Sequence, residues 1–258
     1  MTYIDAIGQH HNTAPDARIV SLVPSVTELL CDLGLAPQLV GRTGFCIHPA
    51  EAVAAIPKVG GTKDVNLDKL RRIAPTHVVV NVDENEKPTV DEIARFVPHI
   101  VVTHPNAPRD NLALYRLLGD IFAREDEAEA LCAAFEREYA LLQAAPRRPN
   151  RVLYCIWKDP WMAVSQDTYI AAMLAEIGWT VPQLGEARYP RFEWSDALVR
   201  SLDQVLLSTE PYRFTEEHAD ALERQLGKPV RLVDGEMLSW YGSRAVRGLR
   251  YLRELAEG

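Results

Sequence analysis

The hydrophobic pattern changes period along the chain. Three short runs dense in Val and Ile stand between turn residues: "RIVSLV" at 18–23, "HVVVNV" at 77–82 and "HIVVT" at 99–103. Strands buried on both faces of a parallel sheet have this composition. The segments between them carry helical spacing. "SVTELLCDLGL" opens with Ser25 as an N-cap, Glu28 follows three residues later as in a capping box, and Gly34 is suited to the C-terminal stop. "VNLDKLRRIAP" predicts an amphipathic helix that ends before Pro75, and "VDEIARFVP" predicts another. Strands alternating with helices define a parallel α/β layer.

From Asn111 to Ala144 the strand signal disappears. "NLALYRLLGDIFAR" predicts one helix and "EDEAEALCAAFEREYALLQAA" a longer one, with Ala128, Leu131, Phe135, Tyr139 and Leu142 at helical spacing. "PRRPN" ends it, and the α/β pattern resumes with "RVLYCIW" at 151–157, "QVLLS" and "PVRLV" as strands. The predicted architecture is α/β: two α/β lobes joined by a single long backbone helix. Residues 1–16 are assigned to a flexible N-terminal extension, 17–108 to the N-terminal lobe, 109–146 to linking helices and 147–258 to the C-terminal lobe. An internal echo, "NLDKLRRIAPTHVVV" against "WSDALVRSLDQVLLS", is consistent with two related lobes.

Composition narrows the function. Of 258 residues, 47% are hydrophobic and 25% charged, with a net charge of -8. Such a balance suits a folded globular chain and opposes binding to a phosphate backbone, so nucleic acid is not an expected partner. No apolar stretch reaches the length of a membrane span, so the chain is not expected to be membrane-inserted. The first 17 residues show no basic start, apolar run or cleavage site, which leaves a cytoplasmic location open. The His10–His11 pair there is expected to face solvent. Cys31, Cys46, Cys132 and Cys155 form no CxxC pair, and Cys31 and Cys132 read as buried helical thiols.

No GxSxG, HExxH or GK[ST] pattern occurs, so no catalytic residue is assigned. "VGGTKDV" at 59–65 reads as a tight turn before a helix. Cys46 and His48 in "GFCIHP" could contact a metal, with His77 or His104 as a third ligand; two residues alone fall short of a structural site, and a loop thiol beside a turn histidine is the favoured reading. "NVDENEKP" at 81–88 places Asn81 and Glu84 where a parallel sheet presents ligand loops, beyond the strand carboxyl ends. "CIWKDPWM" at 155–162 is the matching loop of the second lobe, and Trp157 and Trp161 suggest an aromatic grip on a flat ligand. In "VDGEMLSWYGSRAVRG" at 233–248, Trp240, Tyr241 and Arg244 are expected to lean over a ligand, with Glu236 as the partner of Arg244.

"RIVSLVPSVTELLCDLGL", "VGGTKDVNLDKLRRIAPTHVVV" and the long mid-chain helix together resemble the periplasmic-binding-protein family of cobalamin and iron-siderophore ABC importers, in particular its cobalamin-binding, "helical backbone metal receptor" branch. The resemblance covers residues 17–256. It implies two lobes on one helix, a ligand held in a cleft between them, no catalytic residues, no intrinsic cofactor and a monomer that delivers its ligand to an ABC permease. It places the ligand wall at Phe45, Thr62, Asn81, Glu84, Trp157, Trp161, Arg188, Tyr189, Trp240, Tyr241 and Arg244. Thr62 and Asn81 stand where the cobalamin-binding branch commonly has Trp. It places permease docking at Asp68, where Glu is usual, and at Ser195 or Asp196, of which the chemistry favours Asp196. The implied ligand is a corrinoid such as cobalamin; Arg188 and Arg244 would also suit a carboxylate-rich siderophore or another metal chelate. The implied location is periplasmic. The alternative is a cytoplasmic protein or enzyme that handles metal or corrinoid on the same scaffold through Cys46 and His48.

Overall fold

A computed structural model describes residues 3–257. The chain divides into two units. The first runs to Pro105 and adds Arg109–Ala134 and Tyr241–Arg244; the second holds Asn106–Pro108, Phe135–Trp240 and the chain from Ala245 onward.

In the first unit the elements are β1 (Tyr3–Ile4), β2 (His10–His11), β3 (Ile19–Ser21), α1 (Pro24–Asp32), β4 (Leu39–Arg42), α2 (Ala50–Val53), α3 (Leu67–Ile73), β5 (His77–Asn81), α4 (Lys87–Ile93), β6 (His99–Thr103) and α5 (Asp110–Ile121). The main sheet has the order β4-β3-β5-β6, every pair parallel. Val20, Val78, Val80, Ile100 and Val102 from its strands pack with Leu70 and Ile93 from the helices that cover it. Each such side chain contributes roughly 1.5–3 kcal/mol on leaving water. Burial on both faces explains the near-continuous Val and Ile runs that mark these strands in the sequence.

α6 (Glu125–Ala144) is 20 residues long, about 30 Å at 1.5 Å per residue, and the division between the units falls inside it, after Ala134. Within the segment 109–146, Arg109–Ala134 clusters with the first unit and the chain from Phe135 with the second.

The second unit continues with β7 (Asn150–Trp157), β8 (Met162–Ala163), α7 (Tyr169–Ala175), β9 (Trp179–Thr180), α8 (Asp196–Ser201), β10 (Gln204–Ser208), α9 (Glu216–Leu226), β11 (Val230–Val233), α10 (Gly235–Ser239) and most of α11 (Arg244–Glu257). β11, β10 and β7 are parallel, and β8 returns antiparallel on β7. Leu153, Val205, Leu207, Phe214, Leu222 and Val230 form the core.

Two expectations are corrected. The start of the chain is not a flexible extension over its described part, residues 3–16. β1 and β2 pair with each other, and Asp5 fastens the hairpin to β6, the edge strand of the sheet. Asp5 Oδ1 accepts from the N–H groups of Ile7 and Gln9, while Oδ2 accepts from Val102 N–H at 3.0 Å and lies 3.1 Å from His11 Nε2. The Ala6 N–H donates to the Val102 carbonyl at 3.0 Å. An unpaired strand edge gains partners in this way, and His11 is buried beneath them rather than solvated. Likewise the Ser25–Glu28 capping box does not form. Pro24 occupies the first turn of α1, Val23 is the N-cap without a side-chain bond, and Glu28 is engaged elsewhere. Proline at this position loses no helical hydrogen bond, which moves the helix start ahead of Ser25. The tight turn at 59–65 is present: Gly60 has φ +112°, and an added Cβ there would run into the Asp64 carbonyl.

Candidate functional site

In both units the parallel strands end in loops that hold most of the candidate residues. In the first unit Phe45, in the loop after β4, is 62% exposed, with Ile47 beside it at 51% and Val82, after β5, at 47%. Thr62 is half-buried, and its carbonyl accepts from Asn85 Nδ2 at 2.9 Å. Asn81 differs from expectation: it is buried, its Oδ1 accepts from Asp83 N–H at 2.8 Å, and its own N–H donates to Asn85 Oδ1 at 2.9 Å. Asn81 and Asn85 thus build the turn that carries the acidic loop. A buried amide with partners on this scale is structural.

The segment Tyr241–Arg244 is held on the first unit by four side chains that the sequence reading did not connect to it. Glu84 accepts from the Tyr241 hydroxyl at 2.5 Å. Asn111 Oδ1 accepts from Gly242 N–H at 2.6 Å, and the Tyr115 hydroxyl donates to the Gly242 carbonyl at 2.8 Å. Glu28 takes the Arg244 guanidinium in a two-point pair, 2.7 Å from Nε and 2.9 Å from Nη2. Glu28, which nothing nearby in the sequence announces, forms this pair, and both of its members are 5% exposed. Arg244 therefore does not present its fork to a ligand; the buried carboxylate one turn into α1 neutralises it. Burial raises the Tyr241 hydroxyl pKa well above the phenol range, with the Glu84 charge adding to it, so this group stays a donor.

In the second unit the two loop tryptophans separate. Trp157, at the end of β7, is 40% exposed and meets Tyr212 edge-on at 5.5 Å. Trp161 is packed: its ring stacks on Phe214 at 5.8 Å and meets Trp194 edge-on at 5.4 Å. Aromatic contacts of this kind contribute about 0.5–1.5 kcal/mol each beyond burial, which accounts for Trp161 as core rather than grip. Tyr189 is 38% exposed. Arg188 is half-buried and donates to Asn106 Oδ1 at 2.9 Å. Trp240 is 9% exposed, and its indole N–H donates to Glu210 Oε1 at 2.8 Å. A cavity of about 370 Å³ is lined by Thr209, Glu210, Leu232, Val233, Asp234 and Glu236.

Cys46 does not have the setting of a metal ligand or nucleophile. It is fully buried, the Thr27 hydroxyl donates to its sulfur at 3.0 Å, and the Thr43 hydroxyl lies at 3.1 Å. Burial pushes the thiol pKa up, so the group is a neutral thiol. His77 cannot join it, because His77 begins β5 whereas Cys46 lies beyond the carboxyl end of β4. Among the described residues no group of three or more His, Cys, Asp or Glu could hold a metal ion. His104 sits 3.6 Å from Asp83 across the loops after β6 and β5.

The two docking candidates are on the surface. Asp68, in the first turn of α3, is 81% exposed at its side chain and 3.3 Å from Arg71. Asp196 opens α8 with its side chain 95% exposed. Its neighbour Ser195 is the N-cap, with its oxygen accepting from Leu198 N–H. The cap engages Ser195 and leaves Asp196 as the charge. No helix among the described residues is long and apolar enough to cross a membrane.

Two α/β units whose parallel strands end in loops with exposed apolar side chains agree with a solute-binding fold. The chain belongs to the Periplasmic binding protein family, whose profile matches residues 19–210. The vitamin B12-binding protein of Pectobacterium carotovorum subsp. carotovorum is 22% identical over 232 residues, covering 88% of this chain and 83% of the relative. The crystal structure of the periplasmic vitamin B12 binding protein of Vibrio cholerae superposes with a TM-score of 0.78 at 17% identity, over 94% of this chain and 98% of that one. The periplasmic heme-binding protein of Roseiflexus sp. RS-1 gives 0.76 at 20% identity, over 93% and 99%. At these identities the structural likeness establishes the fold.

Proposed function

We propose that this protein holds a corrinoid, or a metal chelate of similar size and shape, and delivers it to an ABC permease from the periplasmic side. The observation that carries this reading is the exposure of Phe45, Ile47 and Val82 on the strand-end loops of one unit and of Trp157 and Tyr189 on those of the other. Large apolar side chains at ligand-loop positions fit a broad, flat ligand with apolar faces. The names of the relatives support a vitamin B12-like ligand. Asp68 and Asp196 are suited to meet basic groups on a permease, since each is a solvated carboxylate in the first turn of a short helix.

The test is titration of the purified chain with cyanocobalamin, cobinamide, hemin and a ferric siderophore, followed by absorbance and calorimetry. A corrinoid should bind at micromolar concentration or tighter and with a stoichiometry of one. Failure of all four to bind at micromolar concentration would overturn the reading.

A further inference from the structure

The sequence D-G-E-x-x-x-W at 234–240 has a local logic that the binding reading does not use. Asp234 caps α10, its Oδ1 accepting from Met237 N–H. Gly235 begins that helix. A Cβ built on Gly235 would collide with Ser208 Oγ and would stand 2.6 Å from Glu210 Cγ. The missing side chain is what lets the loop after β10 lie against α10. Glu210, in that loop, then reaches the far end of the same helix. Its Oε1 accepts from the Ser239 hydroxyl and from the Trp240 indole N–H, both at 2.8 Å. Trp240 is the C-cap of that five-residue helix.

We propose that Glu210 is a positioning residue that locks the Trp240 indole in one orientation, that Gly235 is the residue that admits it, and that the ring so held forms a fixed part of the ligand wall. A carboxylate oxygen taking two donors is a directional anchor, because charge-assisted bonds are about twice as strong as neutral ones. A ring fixed before binding loses no orientational freedom when a flat ligand meets it. The last clause of the proposal rests on the ligand reading above; the anchoring itself does not. Around Glu210 stand Asp234, the cap of α10, Glu236 in its first turn and the Tyr154 hydroxyl of β7. Burial, and then the two acidic neighbours, raise its carboxyl pKa against the opposing bonds from Ser239 and Trp240. The anchor should therefore weaken on mild acidification.

The experiment uses the whole chain labelled with nitrogen-15. The Trp240 indole resonance is assigned by its loss in Trp240→Phe. It should shift in Glu210→Ala and Gly235→Ala, stay near its place in Glu210→Gln at neutral pH, and titrate in the parent protein with a midpoint above the ordinary carboxylate range. The Gln variant should show no such titration. Cyanocobalamin affinity should fall roughly tenfold or more in the two Ala variants and stay within about threefold in the Gln variant, whose amide oxygen still accepts from the indole. An unmoved resonance in Glu210→Ala, or a Gln variant as impaired as the Ala variant in both readouts, overturns the proposal. If the Ala variants do not fold, a flat pH profile of the parent resonance overturns it alone. If the parent chain binds no cyanocobalamin, the ligand reading fails while the resonance still decides the anchoring.

Discussion

Arg244 and Glu28 form a pair whose removal separates two accounts of the same arginine. Both side chains are 5% exposed, and the guanidinium meets the carboxylate at two points, 2.7 and 2.9 Å apart. Replacing one partner leaves a charge in a place that water does not reach. For a pair with this burial and geometry the cost is about 3–5 kcal/mol. Replacing both by apolar side chains of similar volume removes two desolvated charges together, which is commonly neutral or stabilising. Arg244→Met and Glu28→Leu should thus each destabilise the first unit by several kcal/mol. The double variant should recover most of the loss, leaving a coupling energy of at least about 2 kcal/mol in the cycle. Urea unfolding followed by circular dichroism measures this, analysed per transition because the two units need not unfold together. An arginine reserved for a ligand would behave otherwise: Arg244→Met would weaken binding with under about 0.5 kcal/mol of change in stability. That result, or additive losses in the double variant, would refute the assignment.

Three further outcomes follow from individual side chains. His77 is buried, stacked on His99 at 4.6 Å, and its pKa is pushed down to about 4 from an ordinary 6.5, by burial first and then by His99 and His11. The unfolded chain binds the extra proton between those values, so this contribution is complete above pH 6.5 and is lost as pH falls toward 4; urea midpoints at pH 7, 5.5 and 4.5 should show a decline that His77→Phe flattens. Phe45→Ala and Trp157→Ala should each weaken binding of the active probe by roughly tenfold, with melting temperature moving little for Phe45, 62% exposed, and more for Trp157, 40% exposed and edge-on to Tyr212; unchanged affinity in both would remove them from the ligand wall. Cys46→Ser should leave the metal content of the purified chain unaltered and should not abolish binding, because the thiol is neutral and enclosed by Thr27 and Thr43; loss of a bound metal, read by elemental analysis, would restore the rejected reading.

The fold was legible because burial on both faces of a sheet writes itself into consecutive residues. The runs at 77–82 and 99–103 correspond to β5 and β6 within one residue, and the pattern at 125–145 to α6. Local rules were less decisive where a residue had two uses. Ser25 and Glu28 have the spacing of a capping box, but Pro24 begins the helix earlier and Arg244, 216 residues away in the chain, claims the carboxylate. Nothing near Glu28 in the sequence announces that partner. The hairpin at 3–11 was missed for a related reason: its anchor is the free edge of β6 about 97 residues further on, and strands of two residues carry no periodicity.

The same distinction sorts the candidate ligand residues and changes the chemistry expected of the ligand. Aromatics and charges were assigned by their position after strands, yet that position also holds the groups that brace the loops. Asn81 braces the acidic turn, Trp161 joins the Phe214 cluster, and Arg244 is neutralised by Glu28. Arg188 is bonded to Asn106. Arg188 and Arg244 as guanidinium forks would suit a carboxylate-rich siderophore, and the Arg244 fork is accounted for inside the protein by Glu28. The loop carboxylates Glu84 and Glu210 each accept from an aromatic donor, Tyr241 and Trp240. Acidic groups in these places disfavour a ligand carboxylate by charge, and the large apolar side chains exposed on these loops are Phe45, Ile47, Val82, Trp157 and Tyr189. Under the proposed function, this balance weights recognition toward the apolar faces of the ligand over its anionic edge, and the four-probe titration decides which chelate is held.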